Sequence, residues 1–309
     1  MAGMRIAVTG STGLIGSALV DSLVGDGHEV LRLVRRRSRT GPQPDGTVGV
    51  GWNPLLMQID GAALEGVDAV VHLAGAGVGD RRWSDAYRRE IRDSRVLGTE
   101  TLAAALTRLK APPKVLVSAS AVGWYGQTGD QLIDEQAPSG SDFLSEVCQA
   151  WEQAAQPAAA AGIRVVHPRT GLVLDPRGGA GARLLPLFKL GLGGRLGSGK
   201  QYWSVISLAD EVAALRFLID CQDLGGPVNV AGPTAVTNAE LTAELARQLG
   251  RPAVFAVPEW ALRAVLGEMA VEVVGSHRVV PKALVEAGFE FLHPDPESIV
   301  AAALGRSRS

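Results

Sequence analysis

The chain of 309 residues has two cysteines, three tyrosines and nearly balanced charge. Each shortage excludes something. Cys148 and Cys221 cannot make the disulfide framework of a small secreted domain, and they suit a reducing, cytoplasmic setting. Thirty basic residues against 32 acidic ones give a formal net charge of −2. No broad field therefore draws the protein to nucleic acid or to a membrane surface. No uninterrupted apolar run approaches the length of a membrane span, and Met1-Ala2-Gly3-Met4 leads straight into a strand. Neither a membrane helix nor a secretion signal is expected. The five histidines are scattered without ligand spacing, so no metal site is expected. Four residues after Tyr87, Tyr125 and Tyr202 stand Ile91, Gly129 and Ile206, so the chain has no Tyr-x-x-x-Lys pair.

What is present begins at the fifth residue. Arg5-Ile6-Ala7-Val8 reads as a short apolar strand, and Leu14 to about Val24 as a helix with Leu14, Ile15, Ala18, Leu19 and Leu23 at helical spacing. Between them lies Thr9-Gly10-Ser11-Thr12-Gly13-Leu14-Ile15-Gly16. Gly10 permits a tight turn, Gly13 lets backbone approach phosphate oxygens, and Gly16 lets the helix pack close to the sheet. The unpaired N–H groups and positive dipole end of the helix then suit the pyrophosphate of a dinucleotide.

Strands and helices alternate through the first half. Glu29–Val34, Val48–Val50, Val67–Ala74, Lys114–Ser118 and Ile163–His167 read as strands; Ser84 to about Leu109 and Ser141–Ala161 read as helices, with Ser84 an N-cap and Gly162 a C-cap. Near-continuous apolar strands in this order imply a doubly wound α/β fold of the Rossmann type, a parallel sheet covered on both faces. Ligands then bind beyond the carboxyl ends of the strands, which directs attention to Gly10–Gly16, Arg35–Arg36, Leu73-Ala74-Gly75, Ser118–Tyr125 and Pro168-Arg169-Thr170-Gly171. The second half is mixed and glycine-rich. A helix over Leu208–Cys221 has Ser207 and Asp210 as a cap pair, and Thr237-Asn238-Ala239-Glu240 is a capping box. The expected organisation is a dinucleotide domain over 1–175 to which 205–232 returns, a smaller substrate-side lobe and extension over 176–204 and 233–300, and a tail over 301–309.

The second strand ends at Val34, where a site for NAD would carry a carboxylate for the ribose 2′-hydroxyl; Arg35-Arg36-Arg37 stands there instead. A guanidinium fork suits a 2′-phosphate, which favours NADP(H) over NAD; a solvated basic loop is the plainer alternative.

The set Thr9-Gly10-x-x-Gly13-x-x-Gly16, His72-Leu73-Ala74-Gly75, Ser118-Ala119-Ser120 and Tyr125-Gly126 resembles the extended short-chain dehydrogenase/reductases, which include nucleotide-sugar epimerases and dehydratases. Arg82-Trp83, Ser94-Arg95, Phe143-Leu144-x-x-Val147-Cys148-x-x-Trp151-Glu152, Pro168-Arg169-Thr170-Gly171 and Gly191–Gly199 are similar to one subfamily, the "epimerase family" proteins. So are Gly267-Glu268-Met269 and Arg278-Val279-Val280-Pro281-Lys282, in the C-terminal extension typical of that subfamily. The resemblance spans nearly the whole chain.

It also shows what is missing. Members of the superfamily usually carry a tyrosine one helical turn before a lysine, so that both groups face the site. Aligned on Trp151-Glu152, those positions hold Leu144 and Cys148, and the superfamily's asparagine on the preceding helix is replaced by Arg95. Leucine cannot transfer a proton, and a thiol supplies no fixed positive charge. The resemblance leaves Ser120 as the substrate-orienting serine, or else a strand-end cap, and Tyr125 as a substitute acid, or else an aromatic wall. It puts Gly10, Thr12, Gly13, Leu14, Ile15, Gly16, Arg35, Arg36, Leu73, Ala74, Gly75, Ser118, Cys148, Pro168, Arg169, Thr170 and Gly171 around the cofactor. Cys148 reads as a nucleophile, a redox group or plain packing. Arg195, Lys200, Gln201 and Trp203, in or beside a glycine-rich loop, suit an anionic substrate or a lid. Two functions follow. One is an NADP(H)-dependent oxidoreductase or epimerase acting on a small polar or nucleotide-linked substrate. The other is an NADP(H)-binding sensor or interaction protein with little catalysis. A homodimer is compatible with both.

Overall fold

The structure is a computed structural model in which residues 3–306 are described. Its centre is a parallel sheet of β1 (Arg5–Thr9), β2 (Glu29–Val34), β3 (Val48–Asn53), β4 (Ala69–His72), β5 (Val115–Ser118), β6 (Arg164–Thr170) and β7 (Gly226–Val230). The strand order is β3-β2-β1-β4-β5-β6-β7, with Gly41–Pro42 pairing antiparallel along β3. The order reverses between β1 and β4, and a crevice opens there at the carboxyl ends. Alternation along each strand buries both faces. Ile6 and Val8 face a cluster with Leu19, Val71, Val117, Val166 and Leu215, while Ala7, between them, faces Leu31, Val70, Leu102 and Leu116. Each large side chain removed from water contributes roughly 1.5–3 kcal/mol.

Helices α1 (Leu14–Gly25), α2 (Asp85–Leu106), α3 (Phe143–Gln153), α4 (Gln156–Ala160), α5 (Gly179–Lys189) and α6 (Leu208–Asp220) precede the last strand of the sheet. They are followed by α7 (Asn238–Leu249), α8 (Glu259–Leu266), α9 (Ala270–Val274), α10 (Lys282–Glu286) and α11 (Pro296–Ala303). The expected caps are present: Ser84 Oγ accepts from Tyr87 N, Ser207 Oγ from Asp210 N, and Thr237 with Glu240 closes a capping box.

Three boundaries differ from the sequence reading. The helix expected over Ser141–Ala161 is two, α3 and α4, because Pro157 has no N–H and its ring would meet the carbonyl four residues back. Gly162, at φ +86°, ends the second. The sixth strand runs on to Thr170 through Pro168: β5 pairs with Arg164–Val166, and pairing resumes at Ser120–Arg169. The proline therefore falls where that ladder is interrupted. The tail expected from residue 301 starts later, since α11 reaches Ala303; Ser307–Ser309 lie outside the described residues.

No helix among the described residues is long and apolar enough to cross a membrane.

Candidate active site

At the end of β1 the chain turns through Gly10 at φ +67°. A Cβ there would lie 2.7 Å from the Leu73 carbonyl carbon, and one on Gly16 would lie 2.2 Å from the Gly10 carbonyl oxygen. Only glycine permits both approaches. Gly13 then serves as the N-cap of α1 with no side-chain cap, and no acidic residue occupies the first turn. The first N–H groups of this helix lack intrahelical partners, and the positive dipole end is unscreened. Ser11, Thr12 and the first turn Leu14-Ile15-Gly16 complete the cradle.

The neighbouring wall is fixed from β1. Thr9 Oγ1 accepts from Leu73 N at 3.0 Å and Ala74 N at 3.1 Å, which directs its own proton to His72 Nδ1, 2.7 Å away. His72 therefore carries its proton on Nε2. Burial pushes its pKa down to about 4, so it stays neutral. Gly75 follows this wall, and a Cβ on it would lie 3.2 Å from Arg95 Cζ. Arg35 and Arg36, beyond β2, are exposed. The lobe reaches this crevice at Gly178, where a Cβ would fall 3.1 Å from Leu14 Cβ. The residues present fit a dinucleotide: glycines where a side chain would block approach, a bare helix N-terminus, and two free guanidinium groups where a carboxylate is absent.

The ends of β5 and β6 are organised differently. Ser120 Oγ donates to Glu152 Oε1 at 2.7 Å. Arg169 holds the same carboxylate with two bonds, Nε to Oε1 at 2.9 Å and Nη2 to Oε2 at 3.0 Å. Its Nη1 donates to Tyr125 Oη at 3.0 Å, and Tyr125 donates in turn to Asn229 Oδ1 at 2.7 Å. Asn229 Nδ2 ends the chain of bonds on the Val280 carbonyl, 3.0 Å away. The Arg169 guanidinium also lies 3.9 Å from the centre of the Trp124 ring. All five members, from Ser120 to Asn229, are at least nine-tenths buried.

This geometry changes three readings. Arg169 turns one N–H of each of its three nitrogens to Glu152 and Tyr125 and is 3% exposed, so it is a buried network member first. Tyr125 is 5% exposed with its proton committed to Asn229, and burial raises its pKa, so it is a network member and wall rather than a poised acid. Cys148 is 4% exposed, and burial pushes its thiol up to about 12. It stays protonated and packs, which removes the nucleophile reading. Its Sγ is 3.8 Å from the Ala121 carbonyl oxygen, and a Cβ on Gly123 would lie 3.4 Å from Leu144 Cβ. Leu144 and Cys148 thus face the Ser120–Gly123 segment, and neither replaces the function of a tyrosine or a lysine. Ser118 is fully buried with its Oγ unpaired, at the foot of the same cleft. Pro168-Arg169-Thr170-Gly171 forms the β6 rim, with Gly171 pressed on Ser204, whose carbonyl oxygen is 2.1 Å from where a Cβ would be.

Gln201 donates to the Leu196 carbonyl and so braces the glycine-rich loop, while Trp203 Nε1 donates to the Val273 carbonyl of α9; Arg195 and Lys200 are exposed. Trp83 Nε1 donates to Val78 O within a core cluster.

The sequence reading assigns no role to Glu152, which it quotes only within a motif, nor to Asn229 or Glu211. A signal existed for two of them. Glu152 lies four residues after Cys148 on the buried face of α3, and Glu211 shares the stripe Leu208, Leu215, Leu218 on α6. An acid on an apolar stripe needs a partner. Thr170 Oγ1 donates to Glu211 Oε1 at 2.9 Å, Oε2 has none, and burial lifts the carboxyl to about 8.

Comparison with known proteins agrees with this geometry. Residues 6–231 match the NAD dependent epimerase/dehydratase family. The chain belongs to that family. Residues 257–303 match a domain of unknown function, DUF1731. The chain is 48% identical over 294 residues to the epimerase family protein Mb2239 of Mycobacterium bovis, covering 95% of each chain. It is 34% identical to the Homo sapiens epimerase family protein SDR39U1, covering 94% of this chain and 97% of that one. The crystal structure of human SDR39U1 (isoform 2) with NADPH superposes with a TM-score of 0.88 at 32% identity, over 97% of this chain and 99% of that chain. A nucleoside-diphosphate sugar epimerase from Corynebacterium glutamicum gives 0.80 at 35%, over 98% of this chain and 59% of that one. Among the described residues no group of His, Cys, Asp and Glu is arranged to hold a metal ion.

Proposed function

We propose that this family member is an NADP(H)-dependent oxidoreductase or epimerase acting on a small polar or nucleotide-linked substrate. The observation that carries the reading is the uncapped start of α1 facing a glycine-only turn, with Arg35 and Arg36 where an acid would select NAD. The human relative, whose structure contains NADPH, supports the same cofactor. Gly10–Gly16 would hold the pyrophosphate, Arg35 the 2′-phosphate, and Leu73–Gly75 with the β6 rim would enclose the nicotinamide half. Bound there, the cofactor supplies a hydride or accepts one. Ser120 would orient the substrate with its hydroxyl fixed by Glu152. The emptied Leu144 and Cys148 positions favour a second reading, an NADP(H)-binding sensor with little turnover.

Two measurements separate these readings. Fluorescence titration of NADPH and NADH against wild type and Arg35→Ala tests the cofactor. Loss of a charge-assisted bond costs about 1.5–3 kcal/mol, so NADPH affinity should fall roughly 10- to 100-fold while NADH affinity stays level. Equal losses for both nucleotides would remove Arg35 from the 2′-phosphate. A panel of aldehydes, ketones and quinones read at 340 nm then tests turnover; any sustained oxidation of NADPH rules out the sensor.

A further inference from the structure

The lobe after the sixth strand carries a face that the nucleotide reading leaves unused. Between Asp175 and Asp210 the chain has no aspartate or glutamate, yet it has Arg177, Arg183, Lys189, Arg195 and Lys200. Between Glu244 and Glu259 it has Arg247 and Arg251 and again no acid. The near balance of the whole chain thus conceals two purely basic segments. The fold joins them, because Gly194–Leu196 pairs in parallel with Phe255–Val257, Gly194 opposite Phe255.

Apolar side chains crowd the same place. After α5 the chain turns at Gly191, φ +72°, with Leu192 N on Leu187 O at 2.9 Å and Gly191 N on Phe188 O at 3.0 Å. This left-handed helix end folds Leu192 back beside Leu187. Phe188 is buried beneath the turn, while Leu187, Leu190 and Leu192 are exposed, Leu190 by 72%. A Cβ on Gly191 would lie 4.0 Å from Pro252 Cδ, so the turn adjoins the segment that carries Val254 and Phe255. Those two are exposed as well, Val254 by 80%. A groove of about 670 Å³ continues the surface toward α7, lined by Arg195, Ala246, Arg251, Pro252, Val254 and Phe255. Lys189, Arg195 and Arg251 are exposed and make no ion pair among the described residues, whereas Arg247 is held by Glu244 and Glu297.

Charge and side-chain type select the occupant. A second copy of the chain would set these cations against themselves. Protein partners are held chiefly by aromatic and arginine anchors, with lysine depleted and leucine and valine under-represented among the residues that matter most. Here the exposed apolar groups are mostly leucine and valine, and cations are interleaved with them, as in Lys189-Leu190-Gly191-Leu192. That mixture suits a lipid surface of negative charge. Aliphatic groups enter the boundary between headgroups and acyl chains, and long basic side chains lay their stems on it with the charge at the phosphates.

We infer that this face docks on an anionic lipid bilayer. Leu187, Leu190, Leu192, Val254 and Phe255 enter the headgroup boundary, and Lys189, Arg195 and Arg251 lie against lipid phosphates. Nothing crosses the bilayer in this arrangement; the protein rests on it reversibly. α5 connects the two regions: Gly178, at its start, approaches Leu14 of the nucleotide cradle, and its far end carries the docking turn. The inference is separate from the NADP(H) reading and stands whichever nucleotide is bound.

The test is co-sedimentation of the full-length protein with vesicles of phosphatidylcholine alone and of phosphatidylcholine with an equal part of phosphatidylglycerol. The protein should pellet with the mixed vesicles and stay in solution with the neutral ones. Salt at about 1 M, which shortens the screening length to about 3 Å, should release most of it. Lys189→Gln with Arg251→Gln should weaken binding about 25-fold, about fivefold for each charge. Leu190→Ser should weaken it about tenfold, as for a leucine returned to water. These side chains are exposed, so the urea midpoint and NADPH affinity should not move, which separates lost docking from lost folding. Failure to pellet with the mixed vesicles at low salt, or binding that survives these substitutions, overturns the inference. Equally tight binding to soluble polyglutamate also overturns it, by marking the partner as an acidic chain. A dimer in sedimentation equilibrium that Leu190→Ser dissociates does so too, by marking the face as a contact between copies.

Discussion

The two ends of the cleft are built on opposite plans. At β1 and β4 the polar groups are left open: the start of α1 has no side-chain cap, and Arg35 and Arg36 extend into solvent. At β5 and β6 they are closed upon one another, from Ser120 through Glu152, Arg169 and Tyr125 to Asn229. A buried network of this kind rigidifies its surroundings when every member is satisfied. It also withdraws its members from chemistry, because a phenol with its proton on Asn229 and a guanidinium clasping a carboxylate have little left to offer a ligand. The open end reads as a binding site. The closed end reads as a rigid wall.

The contrast can be broken at its strongest point first. Glu152→Ala leaves the Arg169 guanidinium buried and unpaired, which should cost about 3–5 kcal/mol in urea unfolding. It should barely change the affinity for NADPH of the molecules that remain folded. If affinity falls in proportion to stability, the two ends are one unit and the contrast is wrong.

A pH-dependent effect should come next, from Glu211. Its carboxyl is raised to about 8 in the folded chain and returns to the ordinary range on unfolding. Between those values the folded state holds more protons than the unfolded one, so stability should decline as pH rises through that window, by up to about 1.4 kcal/mol per pH unit. Glu211→Gln keeps the size and the Thr170 contact without the charge. Its unfolding free energy should match wild type near pH 5 and exceed it at pH 8. Parallel pH profiles for the two proteins would mean that Glu211 titrates normally.

Cys148→Ala should do least. The thiol is protonated and packed, so removing it should cost roughly 1 kcal/mol and leave nucleotide affinity and any turnover unchanged. A large loss of turnover at constant stability would restore a chemical role for sulfur.

What could be read from sequence follows the same division. The open end is local: Thr9 to Gly16 is one turn and the start of one helix, and Arg35 closely follows a strand end, so spacing alone identifies both. Ser84 and the Thr237–Glu240 box are local too, and both caps appear as expected. The closed end is made by pairs far apart in the chain. Ser120 and Glu152 are 32 residues apart and Tyr125 and Asn229 are 104, and no periodicity links such positions. Tyr125 therefore looks available in sequence and is committed in the fold. Pro157 shows a different shortfall: the alanine-rich segment promises one helix, and a single missing N–H makes it two.

The bond from Asn229 Nδ2 to the Val280 carbonyl has a consequence for how the protein is made. Glu135 Oε1 strengthens it, accepting from both Asn229 N and Ala283 N. During synthesis the nucleotide cradle is complete once the first few strands have emerged. The wall opposite has to wait for residues 280 and 283. A chain stopped short of them would carry the binding half of the cleft with the other half unfastened, so the last tenth of the polypeptide decides when the whole cleft exists.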